Sequence, residues 1–302
     1  MHRYVLPFIL SLTGTQHLGA ETAPFGDRWP GMTPALIAPG VINSEATEIN
    51  LVFNQDNTEL FFSRIVDGGF RMYTSRRLDD AWTEPRWIDV IPEGSKTEAV
   101  DLALSPDDRL LYFLGITHDG ETQQMDLWVT ERMNSGWSEA RRLGPEINTE
   151  HGEFYPVVVA DGSLYFVRDE ATALGPRNLN RAARQSGGVF ASPVPVGPPI
   201  DTPQRKGDTY VSPDERYIIF SSNERGGHGS SDLFVSFRTD DGGWTEPRNM
   251  GSTINGPELE FCPMVSPDGR WFSFSRRYGD SWATTTDAEI YWMDAAFIET
   301  LR

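Results

Sequence analysis

Five copies of one short phrase constrain this chain more than any other feature: Asn54-Gln55-Asp56-Asn57, Ser105-Pro106-Asp107-Asp108, Val159-Ala160-Asp161-Gly162, Ser212-Pro213-Asp214-Glu215 and Ser266-Pro267-Asp268-Gly269. From aspartate to aspartate the spacings are 51, 54, 53 and 54 residues. A period that steady belongs to propellers or solenoids. Apolar strand-type runs flank each phrase, such as Thr209-Tyr210-Val211 before and Tyr217-Ile218-Ile219-Phe220 after the fourth copy. Asp followed by Gly, Glu, Asp or Asn is hairpin chemistry, because these residues tolerate the left-handed backbone of a tight turn. Each copy therefore predicts a β-hairpin of two strands, A and B.

A third strand, C, is predicted in each period from alternating apolar residues: Phe70 to Thr74, Met125 to Val129, Asn178 to Ala182, Asp232 to Val235 and Ala288 to Trp292. The third of these departs most from the pattern, which leaves its pairing open. A fourth signal follows in four periods: Trp82-Thr83-Glu84-Pro85, Trp137-Ser138-Glu139-Ala140, Phe190-Ala191-Ser192-Pro193 and Trp244-Thr245-Glu246-Pro247. Proline cannot donate to a ladder and is confined to sheet edges, so this segment suits an outermost strand D.

The fifth period lacks a strand D, and the missing piece stands at the other end of the chain. Thr33-Pro34-Ala35-Leu36-Ile37-Ala38-Pro39-Gly40-Val41-Ile42-Asn43 reads like Thr245 through Asn255, down to the terminal Ile-Asn. Residues 33–40 are thus expected to complete the last blade and close the ring, which leaves only short protected edges. The expectation is an all-β, five-bladed β-propeller of four-stranded antiparallel blades. A six-bladed ring is the alternative, but the sequence contains no sixth phrase. Blades are expected at about 45–90, 91–144, 145–197, 198–251 and 252–302, in one domain spanning 21–302.

Residues 1–20 differ in kind. His2 and Arg3 precede an apolar run from Val5 to Leu12, and a small residue, Ala20, stands at the break before Glu21. This is the pattern of a secretory signal peptide, with no cysteine after the apolar run to take a lipid anchor. A soluble periplasmic or secreted protein is expected. Cys262 is the only cysteine, so no intramolecular disulfide can form, and its place in a predicted strand A reads as a buried small hydrophobe. The net charge of −18 opposes nucleic acid and anionic membrane surfaces as partners.

The Ser-Pro-Asp-Gly-like hairpin, the Asp232-Leu233-Phe234-Val235 and Glu289-Ile290-Tyr291-Trp292 strands, and Trp-Thr-Glu-Pro with a later Ile-Asn together resemble the WD40-like propeller repeats called PD40, of TolB type. The fullest match is Phe220-Ser221-Ser222-Asn223-Glu224-Arg225-Gly226-Gly227 followed by Ser231-Asp232-Leu233. That resemblance implies an exported bacterial protein whose role is interaction rather than chemistry.

Propeller geometry places the D-to-A and B-to-C loops on one mouth, where ligands are expected. Eight residues before the turn aspartates stand Glu48, Ala99, Glu153, Lys206 and Glu260, with Asp101 and Asp208 supplying acids near the two gaps. Near the ends of the B strands stand Arg64, Arg168, Arg225 and Arg276. Such acids and arginines are either structural pairs repeated because the blade repeats, or a binding ring. His118, His151 and His228 fall in loops of the same rim without metal-ligand spacing, and Trp282 breaks the repeat there, placed to stack on a sugar or close over a peptide.

The leading expectation is therefore a monomeric binding or scaffold module for an extracellular glycan, peptide or envelope protein. A carbohydrate hydrolase or lyase using Glu48, Asp101, Glu153, Asp208 and Glu260 is the alternative, since glycoside hydrolysis needs two carboxylates in unlike protonation states. There is no sialidase box, no Gly-x-Ser-x-Gly elbow and no phosphate loop. No cofactor is expected; a structural or channel-bound calcium, held by carboxylates and carbonyls, is the alternative.

Overall fold

The computed structural model describes residue 25 and residues 29–79, 81–172, 175–279 and 287–302. The expected leader at residues 1–20 and Trp282 lie outside them. Five antiparallel blades form the ring, each ordered A-B-C-D from the axis outward. Strand A is Glu48–Phe53, Thr97–Leu104, Gly152–Val158, Thr209–Val211 and Leu259–Val265 in blades one to five. Each A strand touches the A strands of both neighbouring blades, the fifth touching the first, which makes these five strands the wall around the axis.

The hairpin phrases behave as their chemistry requires. The residue after each turn aspartate has a positive φ: Asn57, Asp108, Gly162, Glu215 and Gly269. The aspartates accept hydrogen bonds from the chain two residues on, as Asp107 does from the Arg109 N–H and Asp268 from the Arg270 N–H. In the third blade, strand C is Gly175–Ala182 and pairs antiparallel with strand B, Leu164–Thr172, in register from Leu164 to Asp169 and shifted beyond it, which settles the pairing that the sequence left open.

The outer strands are only two residues long and begin just past the predicted proline or alanine: Arg86–Trp87, Arg141–Arg142, Val194–Pro195 and Arg248–Asn249. The recurrent aromatic thus belongs to the C-to-D corner rather than to strand D. There Arg132, Arg184 and Arg238 stack on Trp137, Phe190 and Trp244 at 4.4, 5.0 and 4.7 Å.

Closure follows the sequence expectation. Ala35–Leu36 pairs with Ala288–Asp294, Ala35 opposite Trp292 and Leu36 opposite Tyr291, and so supplies strand D of the fifth blade. Phe25 seals the seam, packing within 5.5 Å of the rings of Phe53, Trp82, Trp271 and Trp292. Aromatic contacts of this kind add to the area they bury. Among the described residues the only helical segments are Ser186–Gly188 and Ala296–Glu299, and no helix is long and apolar enough to cross a membrane.

Candidate functional site

The Ile-Asn that ends three of the D-to-A links has a structural task. Asn43, Asn148 and Asn255 each accept the backbone N–H and donate to the carbonyl of one strand C residue, respectively Ile290, Leu127 and Leu233. The links are thereby buckled onto the blade they leave. Five residues further on, the rim glutamates hold the same links from the other side. Glu48 accepts from the Ser44 N–H and hydroxyl, Glu153 from the Thr149 N–H and hydroxyl, and Glu260 from the Gly256 N–H.

Each glutamate also meets an arginine directly opposite it on strand B of its own blade: Arg64 at 2.8 Å, Arg168 at 3.0 Å and Arg276 at 2.7 Å. The carboxylates are 1, 0 and 0 % exposed. Arg168 and Arg276 pass a second N–H to the carbonyls of Ile147 and Ile254 in the link. Burial raises the carboxyls of Glu48, Glu153 and Glu260, opposed by their links and arginines. The acids and guanidiniums do not face one another across the mouth; they are paired within each blade.

Two blades depart from this device in compensated ways. In the second, Gly115 lies opposite Ala99, and a Cβ on Gly115 would come within 2.4 Å of the Trp128 indole, which fills the space. In the fourth, Asp201 replaces the asparagine and accepts the Leu179 N–H. Aspartate brings a buried charge, and Lys206, standing where the other blades have glutamate, meets it at 2.9 Å. Arg225 reaches the same link from the B-to-C loop, donating to the carbonyls of Pro199 and Ile200 and to the Thr202 hydroxyl.

Asp101 and Asp208 belong to a different ring. In four blades strand A is bulged two residues inside the rim, at Asn50, Asp101, Tyr155 and Cys262, and in the fourth Asp208 holds the equivalent place just before strand A, each six residues before its turn aspartate. Asn50, Asp101, Tyr155 and Cys262 have φ of 54, 55, 51 and 48°. Such left-handed backbone in residues other than glycine is uncommon and is found where surrounding structure enforces it. Ligand atoms of Asp101, Asp208 and Cys262 all lie within 4.8 Å of one another, although they come from the second, fourth and fifth blades. Blades two and four are not neighbours, so these side chains meet at the axis.

Asp101 is 7 % exposed, and Asp208 and Cys262 are each 5 % exposed. The Cys262 thiol donates to Asp208 at 3.0 Å, and Ser221 reaches the other Asp208 oxygen at 3.4 Å. Burial and the Asp208 charge push the Asp101 carboxyl well up. Burial also raises Asp208, opposed by the Cys262 thiol, its own backbone N–H, Ser221 and Arg177. The Cys262 thiol is pushed well up by burial and the two aspartates. Counting back from the turns placed Asp101 and Asp208 among the rim acids; both lie at the axis instead, Asp101 on a bulge of strand A and Asp208 just ahead of strand A. Cys262 is buried as its sequence suggested, but against carboxylates rather than hydrocarbon alone.

The three histidines do not converge. His118 contacts Glu98 at 2.6 Å, while His151 and His228 are exposed and their backbone N–H groups are bonded to Thr149 and Asp232. A feature not singled out in the sequence is a groove of about 730 Å³ between the first two blades, walled by the B-to-C turn at Asp67 to Phe70 and the link through Trp87 and Glu93. Trp87 is 51 % exposed, and the Arg71 guanidinium stacks 5.0 Å from its ring centre. A larger cavity of about 1000 Å³ lies on the opposite, hairpin face between blades four and five.

No family model matches the chain, and no curated protein does. Solved structures match in fold. A putative TolB from Agrobacterium tumefaciens superposes with a TM-score of 0.50 at 18% identity, over 82% of this chain and 77% of that one. TolB from Acinetobacter baumannii gives 0.51 at 11%, over 83% of this chain and 55% of that one. An alpha-L-arabinofuranosidase from Podospora anserina, solved with cellotriose, gives 0.51 at 13%, over 89% and 98%. At these identities the likeness is one of architecture, and it spans proteins of unlike function.

Proposed function

We propose that the protein is a binding propeller that recognises a glycan, with the groove beside Trp87 as the contact. The exposed indole carries this reading. It stands on a wall of the groove with Arg71 fixed over it, so one ring face is held in place while the groove surrounds it with Asp67, Asp89, Glu93 and Glu98. A flat apolar surface beside carboxylates suits a sugar ring, which offers C–H groups to the one and hydroxyls to the other. The carboxylates favour neutral or cationic sugars over anionic ones. Export would bring the protein to such ligands, and that part of the reading rests on the first twenty residues of the sequence.

The hydrolase reading loses its best candidates at the rim. Glu48, Glu153 and Glu260 are engaged by their own arginines and links, and a glycosidase needs two carboxyls open to a sugar lying between them. Asp101 and Asp208 sit too deep for that.

A glycan array probed with the full chain tests the proposal. Binding to a neutral or cationic glycan is expected, weakened at least tenfold by Trp87→Ala and unchanged by Glu153→Gln. Release of reducing ends from a bound glycan would favour the hydrolase instead. Binding confined to basic peptides, or binding that survives Trp87→Ala, would overturn the assignment.

A further inference from the structure

We propose that the ring of unlike residues on the propeller axis binds one divalent cation of the zinc class, through Asp101, Asp208 and Cys262. This site is separate from the glycan groove and does not depend on it. Three potential ligand atoms from three blades lie within 4.8 Å of one another, a spacing that a single ion can bridge with small side-chain adjustments. Side chains from non-neighbouring blades meet where all five blades converge, at the axis.

A second observation points to an ion rather than a mere acidic cluster. The Asp101 carboxyl, more than nine-tenths buried, has no hydrogen-bond partner among the described residues and is aimed at Asp208 and Cys262. Native proteins supply buried, unpartnered carboxyls with water or an ion. The fold also fixes the group in place, because the Asn50 side-chain oxygen accepts the Leu102 N–H at 2.7 Å and holds the bulge beside Asp101.

The donor set chooses the ion. Calcium takes six to eight oxygens, whereas one thiolate and two carboxylates leave a fourth position for water on a tetrahedral centre, and a soft thiolate selects zinc over calcium or magnesium. The positive charge that acts on Asp208, Arg177, is already stacked 4.5 Å from Phe154 and paired with Asp169 at 3.6 Å. It offsets only part of the negative charge that the three ligands carry when deprotonated. On binding, the metal–sulfur bond replaces the Cys262 S–H bond, and that proton, with any on Asp101, leaves to solvent. Affinity should therefore rise with pH.

The test is a titration of the chelator-treated full chain with Co²⁺ and Zn²⁺, followed by absorption and melting. One equivalent is expected to bind, with a thiolate-to-cobalt charge-transfer band in the near ultraviolet and a raised melting temperature. Asp101→Asn and Cys262→Ser should each weaken binding at least tenfold. Asp101→Asn is nearly isosteric and removes a buried acid, so its metal-free form should melt no lower than the wild type; if Cys262→Ser does not fold, Asp101→Asn decides. Failure to bind one equivalent, binding without the thiolate band, Ca²⁺ bound as tightly as Zn²⁺, or unchanged affinity in Asp101→Asn would each overturn the proposal.

Discussion

Two rings of side chains circle this propeller within two residues of each other along strand A, and they obey opposite rules. On the rim, three blades present the same glutamate, arginine and link contacts, and the two exceptions are compensated, by Trp128 in one blade and by the Asp201–Lys206 pair in the other. On the axis the five blades present Asn50, Asp101, Tyr155, Asp208 and Cys262, no two neighbours alike. A contact that every blade needs is repeated with the blade, so likeness marks scaffold. A contact made once, where all blades meet, is free to differ, and difference marks the place where chemistry can be specific.

The rim can be broken first at its most buried unlike pair. Lys206→Ala leaves the Asp201 charge buried and uncompensated, and should cost about 3 to 5 kcal/mol in chemical denaturation. Asp201→Asn in the same chain should recover most of that loss, because it restores the asparagine used by three other links. No recovery in the double variant would mean that the two residues are not a compensated pair. Glu153→Ala should cost about 3 kcal/mol for the same reason, since Arg168 is left with its link carbonyl alone.

Loss of a buckle is expected to be milder. Asn148→Ala removes one acceptor and two donors and should cost about 2 kcal/mol. An equal effect at Asn255 would confirm that the buckle is a repeated device, whereas a negligible effect at either would confine it to the other links.

The smallest effect separates rim from turns by pH. Burial raises the rim glutamates, so their contribution to stability is greatest in acid and declines as pH rises through their folded values. The turn aspartates Asp56 and Asp107 are lowered, chiefly by the Thr58 and Ser105 hydroxyls. Their contribution is complete above the ordinary aspartate value of about 4 and is lost as pH falls below it. Melting temperatures should therefore begin to fall below about pH 4, and Asp107→Asn should flatten that fall by a small amount. An acid limb that begins near pH 6 and disappears in Glu153→Gln would reverse the assignment.

The five-fold phrase made the fold legible because turn chemistry is local. Asp56 and its counterparts specify a hairpin wherever they stand, and Pro34 with Ile42-Asn43 announces a borrowed strand by likeness to Pro247 and Ile254-Asn255. The rim pairs were legible for the same reason, as residues at a fixed distance from a turn. The axial ring was not, because four of its five side chains are aimed by a left-handed backbone that only Asn50 and Asp101 hint at; Tyr155 and Cys262 adopt it against their preference. Trp87 escaped notice because its exposure depends on how two blades pack, which no single repeat encodes.

Anomalous diffraction at the zinc edge, from crystals of the full chain grown with Zn²⁺, tests the division between the two rings most directly. The expected result is one strong peak on the axis, within bonding distance of Asp101, Asp208 and Cys262, with the rim glutamates still on their arginines. Zinc at the rim in place of those pairs, or no axial peak, would contradict it.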